Sequence, residues 1–186
     1  MTGKSRIRAV LGVAGAVLTL GAMLGTAQAS DEIPTDDLQA ATRSIGFLDS
    51  IPHDGTIFIG VVYDPAAPGG KEAAEAATKD LTAIAGPKSA VIRSVAMSVA
   101  NLAHTADRLD AVFLMPGSAS ASGAIADAIR QRHVVSISDD PACLEANCCV
   151  LMVRSGQRIE IVLDTGLADA VGAHFSTVFT MMVKRK

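Results

Sequence analysis

Residues 134–164 read VVSISDDPACLEANCCVLMVRSGQRIEIVLD, and the order in which this stretch changes character decides the fold. It opens on a β-branched apolar run, 134–138, of the kind found in strands buried on both faces. The acidic turn Asp139-Asp140-Pro141 follows, then a short segment, 143–148, expected to be irregular or a single helical turn. Two more strands are expected at 150–153 and 158–163, with Ser155-Gly156 supplying a tight turn between them. In the second, Ile159, Ile161 and Leu163 alternate with Arg158, Glu160 and Val162, which predicts one buried face. The pair reads as an antiparallel hairpin at the edge of a sheet.

Working back toward the start, 56–63 (TIFIGVVY), 90–97 and 111–115 (AVFLM) are further apolar strand runs, the first expected to be covered on both faces. Between them lie helical patterns. Over 71–85, Ala73, Ala77, Leu81 and Ile84 share one stripe, Glu75 and Lys79 form an outward i,i+4 pair, and Gly86-Pro87 ends the helix. A shorter, weaker helix is expected over 98–107, and another follows the small-residue loop 116–123, carrying Ile125, Ala128 and Ile129. Before the first strand, Thr35-Asp36-Asp37 can cap a helix running to about Ser50, whose apolar face holds Leu38, Ala41, Ile45 and Leu48. Pro52 and Asp54-Gly55 close it. After the hairpin, Ser176 is expected to cap one short tail helix that docks Phe175, Val178, Phe179 and Met182 on the core. Strands alternating with helices predict an α/β domain with a single open, mostly parallel, Rossmann-like sheet flanked by helices, ending in a C-terminal antiparallel hairpin. There is no internal repeat.

The 186 residues begin with a basic stretch (Lys4, Arg6, Arg8), an uncharged, mostly apolar run over 9–24 and the small-x-small triplet Ala27-Gln28-Ala29. That is the layout of a secretory signal peptide, 1–29, cleaved after Ala29. The run is shorter than the roughly 20 apolar residues needed to span a bilayer. The remaining chain, 30–186, is 157 residues, a usual size for one domain. It keeps 13 of the 16 basic residues against 19 acidic ones, a net charge of −6. An acidic chain with no Trp and no basic cluster argues against nucleic acid as a partner. Export points to the periplasm, a soluble protein with no direct membrane insertion after cleavage, and an oxidising compartment in which the three cysteines are read first as disulfide chemistry.

Cys143 is five residues from Cys148 and six from Cys149, and a loop of either size can close with normal disulfide geometry. An odd count leaves one thiol over, buried or reactive. The resulting clip is either a structural staple or redox-sensitive. No metal site is expected, since no histidine or second cysteine pair stands nearby at zinc spacing. The loop 117–123 follows a strand and opens a helix, so its amides could hold an anion. It has neither the Walker lysine nor GxGxxG, so no nucleotide or other cofactor is implied. The loop 64–70 should lie beside it if strand order reverses there, making a crevice at the switch point. The residues these loops offer to a ligand or a partner are Asp64, Gly69, Gly70, Gly117, Ser118, Ser120 and Ser122, with Asp139 and Asp140 from the acidic turn. His53, His104, His133 and His174 share no spacing with each other or with an acid, and the serines lack the GxSxG elbow. No catalytic residue is expected.

The segment VVSISDDPAC, the hairpin closing on IEIVLD and the tail ending AHFSTVF resemble the YfiR family of small exported bacterial proteins. Further back, IGFLDSIPHDGTIFIGVV is similar to that family's opening helix, proline and first strand, and DAVFLMPG to its third strand. The resemblance implies a periplasmic, non-enzymatic regulator that binds a membrane-anchored diguanylate cyclase through its periplasmic domain and lowers cyclic-di-GMP output. It also implies a disulfide that reports redox state, and homodimers. Val162 stands where the family usually has Asn, and the tryptophan that often precedes the proline at Pro52 is missing. A second similarity joins IGVVYDPAAPGGKEAAEAA to the first strand, loop and helix of ABC-type solute-binding proteins. A chain of this length would supply one lobe of such a protein, which implies as the alternative a single-lobe periplasmic small-ligand-binding protein.

Overall fold

The computed structural model describes residues 33–51 and 55–186; the expected signal peptide, Pro52, His53 and Asp54 lie outside the described residues. The sheet has seven strands: β1 (Thr56–Tyr63), β2 (Val91–Ser98), β3 (Ala111–Leu114), β4 (Val135–Ser138), β5 (Leu151–Arg154), β6 (Glu160–Leu163) and β7 (Lys184–Arg185). Their order across the sheet is β2-β1-β3-β4-β5-β6-β7. All neighbours are parallel except β5 and β6, where Leu151 faces Leu163 and Arg154 faces Glu160. The fold is therefore the open, mostly parallel α/β sheet with an antiparallel hairpin that the strand and helix pattern predicts.

Among the described residues seven α-helices accompany the strands: α1 (Thr35–Ile45), α2 (Gly70–Ala83), α3 (Val99–Thr105), α4 (Ser122–Arg132), α5 (Pro141–Glu145), α6 (Thr165–Val171) and α7 (Thr177–Met182). In register, Phe58, Gly60 and Val62 stand opposite Arg93, Val95 and Met97 on one face of β1 and β2. The other face carries Ile57, Ile59, Val61, Ile92 and Ser94. It is covered by α2, to which the Ser94 hydroxyl is tied through Thr78 O and Thr82 Oγ1 at 2.7 Å each. Helix α1 packs against α2 and β5, whereas α3, α4 and α6 pack in a row on the opposite side. The core between the layers holds Phe113, Leu114, Ile125 and Ile129, all 1% exposed or less. Burial of such side chains, at about 25 cal/mol per Å² of apolar surface, is what holds the layers together.

Several expectations need correction. Helix α1 stops at Ile45, five residues short of Ser50. The amides of Gly46, Phe47 and Leu48 bond three residues back, and Asp49 N–H is taken by His174 O at 2.9 Å. The residue before the helix is Pro34, and no side chain caps it. Asp37, buried in the first turn, instead accepts the Ser155 N–H from the hairpin loop. On α2, Glu75 pairs back to Lys71 at 3.8 Å, not forward to Lys79. Strand β1 is not covered on both faces along its whole length, since Phe58 is 48% exposed. The hairpin loop spans 155–159, so the second strand starts at Glu160 and Ile159 is 51% exposed. The hairpin is not the sheet edge, because β7 pairs parallel to β6 outside it. The tail holds two helices. Asp164 caps α6 by accepting the Leu167 N–H at 2.8 Å, and Ser176 caps α7 through the Phe179 N–H at 3.4 Å. Of the expected docking residues on α7, Phe179 is buried while Val178 and Met182 are exposed.

Candidate functional site

Strand order reverses between β1 and β3, so the loops after these strands meet at the carboxyl end of the sheet. The Ser120 hydroxyl donates to Asp64 Oδ2 at 2.6 Å, and Ala66 N–H donates to Asp64 Oδ1 at 2.8 Å. These two bonds, the Ser120 one larger, hold the Asp64 carboxyl below its ordinary value. Gly117, at φ +81°, turns its N–H toward Asp140 Oδ2 at 3.4 Å. The other Asp140 oxygen caps α5 by accepting from Ala142 N–H at 2.9 Å. Ser118 is buried with its hydroxyl 3.5 Å from Val62 O, Gly69 at φ +73° precedes α2, Gly70 opens α2, and Ser122 opens α4. The structure thus brings Asp64, Gly117, Ser120 and Asp140 together, with the two carboxylates sitting on the amides that an external anion would use.

Asp139 points elsewhere. Its carboxyl is pushed up from 3.8 to about 6, chiefly by burial, with Asp37 and Asp140 adding to the rise. Its Oδ1 is buried without a hydrogen-bond partner.

In the cysteine segment, α5 is a single turn started by Asp140 and Pro141. The disulfide joins Cys143 to Cys148, with Cα atoms 5.3 Å apart. Cys149 is the free thiol, and burial raises its pKa to about 12, against the opposing charge of Lys186. All three sulfur residues are 1% exposed or less, so they belong to the core, and only Ala142, Glu145 and Asn147 of the segment are exposed. Lys186 clips the segment from outside. Its ammonium donates to Leu144 O at 2.6 Å and Asn147 Oδ1 at 2.8 Å and pairs with Asp164 at 3.0 Å.

The surface feature of this end of the molecule is a groove of about 260 Å³ between α1, the hairpin and α7. Phe47 and Phe179 stack at 5.0 Å on its floor, and Phe175 stacks on Phe179 at 5.1 Å. Ser176 N–H bonds Phe47 O at 2.9 Å, which fixes α7 against the end of α1. Ile159, Ile161 and Met182 form the walls, and Arg43 stands at the rim. The pattern of residues did not reveal this groove. Its members come from positions 40–47, 159–161 and 179–183, and the one local signal was an isoleucine, Ile159, placed where the hairpin has no core to fill. Among the described residues no three His, Cys, Asp or Glu side chains are grouped to hold a metal. The histidines stay apart: His104 is on α3, His133 Nδ1 lies 3.3 Å from Val171 O, and His174 lends its carbonyl to Asp49.

Residues 70–181 match the sequence profile of the YfiR/HmsC-like family. This chain belongs to that family. The match runs from α2 into α7 and includes the switch-point loop after β3, the cysteine segment and the hairpin, and of the groove it takes in Ile159, Ile161 and Phe179. As a YfiR/HmsC-like protein, the chain is placed among periplasmic regulators. No curated protein matches the chain. Solved structures share its fold at low identity. One is the ABC domain in complex with L-Trp from Streptococcus pneumonia (12% identity, TM-score 0.57, 80% of this chain and 61% of that one). Another is a conserved domain protein from Vibrio cholerae (13%, 0.60, 80% and 60%). A third is the ligand-free, open structure of a substrate-binding protein with adhesive properties from Clostridium difficile (10%, 0.54, 70% and 54%). The chain spans about 60% of the length of the first two. At these identities the likeness is one of fold. Among the described residues of this YfiR/HmsC-like chain, no helix is long and apolar enough to cross a membrane.

Proposed function

We propose that this protein is a periplasmic, non-enzymatic regulator that restrains a membrane-anchored diguanylate cyclase by binding its periplasmic domain. The observation that carries the reading is membership of the YfiR/HmsC-like family. The groove supports it. Phe47, Ile159 and Met182, with Met181 and Val178 beside them, keep between 36% and 75% of their surface in solvent. A contiguous exposed apolar patch of this kind fits an aromatic or aliphatic anchor from a protein partner. In this reading residues 1–29 direct export and are removed, 30–186 are the working domain, and two copies associate as a dimer. The Cys143–Cys148 bond fixes the segment that leads into the hairpin, so its reduction loosens one wall of the groove and weakens the hold on the cyclase.

Cellular cyclic-di-GMP tests this directly. Deletion of the gene should raise it and restoration should bring it back, while a Phe47→Ser allele should restore the protein level but not the repression. No change on deletion in cells that express a cyclase would sink the reading. A second reading, a single-lobe small-ligand binder, is favoured by the meeting of Asp64 and Ser120 at the switch point. Calorimetric titration with amino acids and other small solutes distinguishes the two, since a solute binder gives heat without any membrane partner.

A further inference from the structure

A concavity of about 530 Å³ lies far from the groove, at the opposite edge of the sheet. It exists because α3 has seven residues and covers only part of the face that β1 and β2 present on that side. Over the carboxyl half of that face, Leu109 and Met97 close down on Gly60. A side chain there would come within 2.8 Å of Leu109 Cδ1 and 3.2 Å of Met97 Cε. Beside them the face stays open. Phe58 and Val95, which line the concavity, are 48% and 50% exposed, and Val91 at the start of β2 is 54% exposed. The floor is therefore apolar, and the wall of Asn101, His104 and Arg108 is polar.

Two carboxylates lie close in sequence to Arg108, and neither pairs with it. Asp107 forms a double hydrogen bond with Arg132 at 2.7 and 2.9 Å, and Asp110 accepts the Phe58 N–H at 2.8 Å. Arg108 has no ion pair among the described residues, nor has Arg93, which stands in register with Phe58 at the open end. An apolar floor in the volume range of ligand pockets, with a few convergent polar groups at one wall, has the make-up of a small-molecule site. The unpaired guanidinium of Arg108 in its wall selects a carboxylate.

We propose that this concavity binds a small amphipathic anion, a carboxylate carried on an aromatic ring or a short aliphatic chain. The apolar body lies on Phe58, Val95 and Leu109, and the carboxylate meets Arg108, with His104 beside it. The site is separate from the proposed cyclase contact and does not depend on it.

Titration of the purified protein with 1-naphthaleneacetate and with its neutral amide tests the proposal. The two probes differ only in charge. The anion should bind at least about tenfold more tightly, the usual gain from a charge-assisted hydrogen bond. Arg108→Gln should erase the preference and leave amide binding unchanged. Val95→Asp, at an exposed position where folding is retained, should weaken both probes. Phe47→Ser, in the distant groove, should change neither, and far-UV circular dichroism checks each variant. Equal affinity for the two probes overturns the proposal, as does the absence of binding at millimolar concentrations. Binding lost in Phe47→Ser but kept in Val95→Asp also overturns it. So does sedimentation showing a dimer that Val95→Asp dissolves, which would assign the face to a second copy of the chain.

Discussion

Replacing Asp139 by Asn should stabilise the protein at neutral pH, and the gain should vanish on acidification. The Asp139 carboxyl is raised from 3.8 to about 6, first by burial and then by Asp37 and Asp140, with only Arg154 and a backbone amide opposing. Because the folded-state value lies above the unfolded one, the folded chain holds the proton more tightly. The penalty for carrying the charge is full above about pH 6, falls as the pH drops through 6, and is gone below 3.8. A rise of about two units, at ~1.4 kcal/mol each, sets an upper bound of about 3 kcal/mol. Part of the side chain reaches solvent, and allowing for screening leaves about 1–2 kcal/mol. The side chain sacrifices little, because Oδ1 has no hydrogen-bond partner to lose. Urea unfolding of both proteins at pH 7.5, 6, 5 and 4 measures the difference as a change in midpoint at constant slope. At pH 7.5 the Asn variant should also melt about 2–8 °C higher. A variant that is no more stable at pH 7.5, or a gap that stays constant down to pH 4, would refute the reasoning.

Cys143→Ser should cost about 2 kcal/mol, the value for so short a closed loop, and reductant should shift the midpoint of the parent protein but not of the variant. The Cys149 thiol, with its pKa raised to about 12, should resist iodoacetamide at pH 8 in the folded protein and react at an ordinary rate in denaturant, as mass spectrometry would report. Phe113→Ala, at a residue 1% exposed in the centre of the sheet, should cost about 3–5 kcal/mol by equilibrium unfolding.

The strands at 56–63, 111–115 and 134–138 could be read from the chain because a strand buried in a parallel sheet must be apolar throughout, and that leaves a local record. The two-residue β7 leaves none. Lys184 and Arg185 are strand only because β6 offers them partners. Helix α6 did leave a record, Asp164 as cap and Leu167, Ala168 and Val171 as its buried stripe, closed by Gly172 at φ +71°. Its start was masked by the apolar run of the strand before it. The meeting of Asp64 with Ser120 followed from strand order and so was within reach. The groove was not, because Phe47 and Phe179 stack across 132 positions and no periodicity links them. The exposed Phe58 escaped for a related reason. A run such as TIFIGVVY looks alike whether the helix that should cover it is long or, as with α3, too short.

The bond from Ser155 N–H to Asp37 spans 118 positions, and it ties the first described helix to the last third of the chain. A chain that emerges from the ribosome or an export channel amino end first presents α1 early. Its partners on β5, in the hairpin loop and on α7 arrive only when synthesis or transit is almost complete. Until then Leu38, Ala41 and Ile45 have only the partial cover that α2 gives, since loop closure to β5 and α7 must wait for both ends. Such an intermediate exposes sticky surface for seconds. The yield of this protein in the cell should therefore depend on a holding chaperone more than its equilibrium stability suggests, and a circular permutant that begins at β5 should be relieved of that dependence.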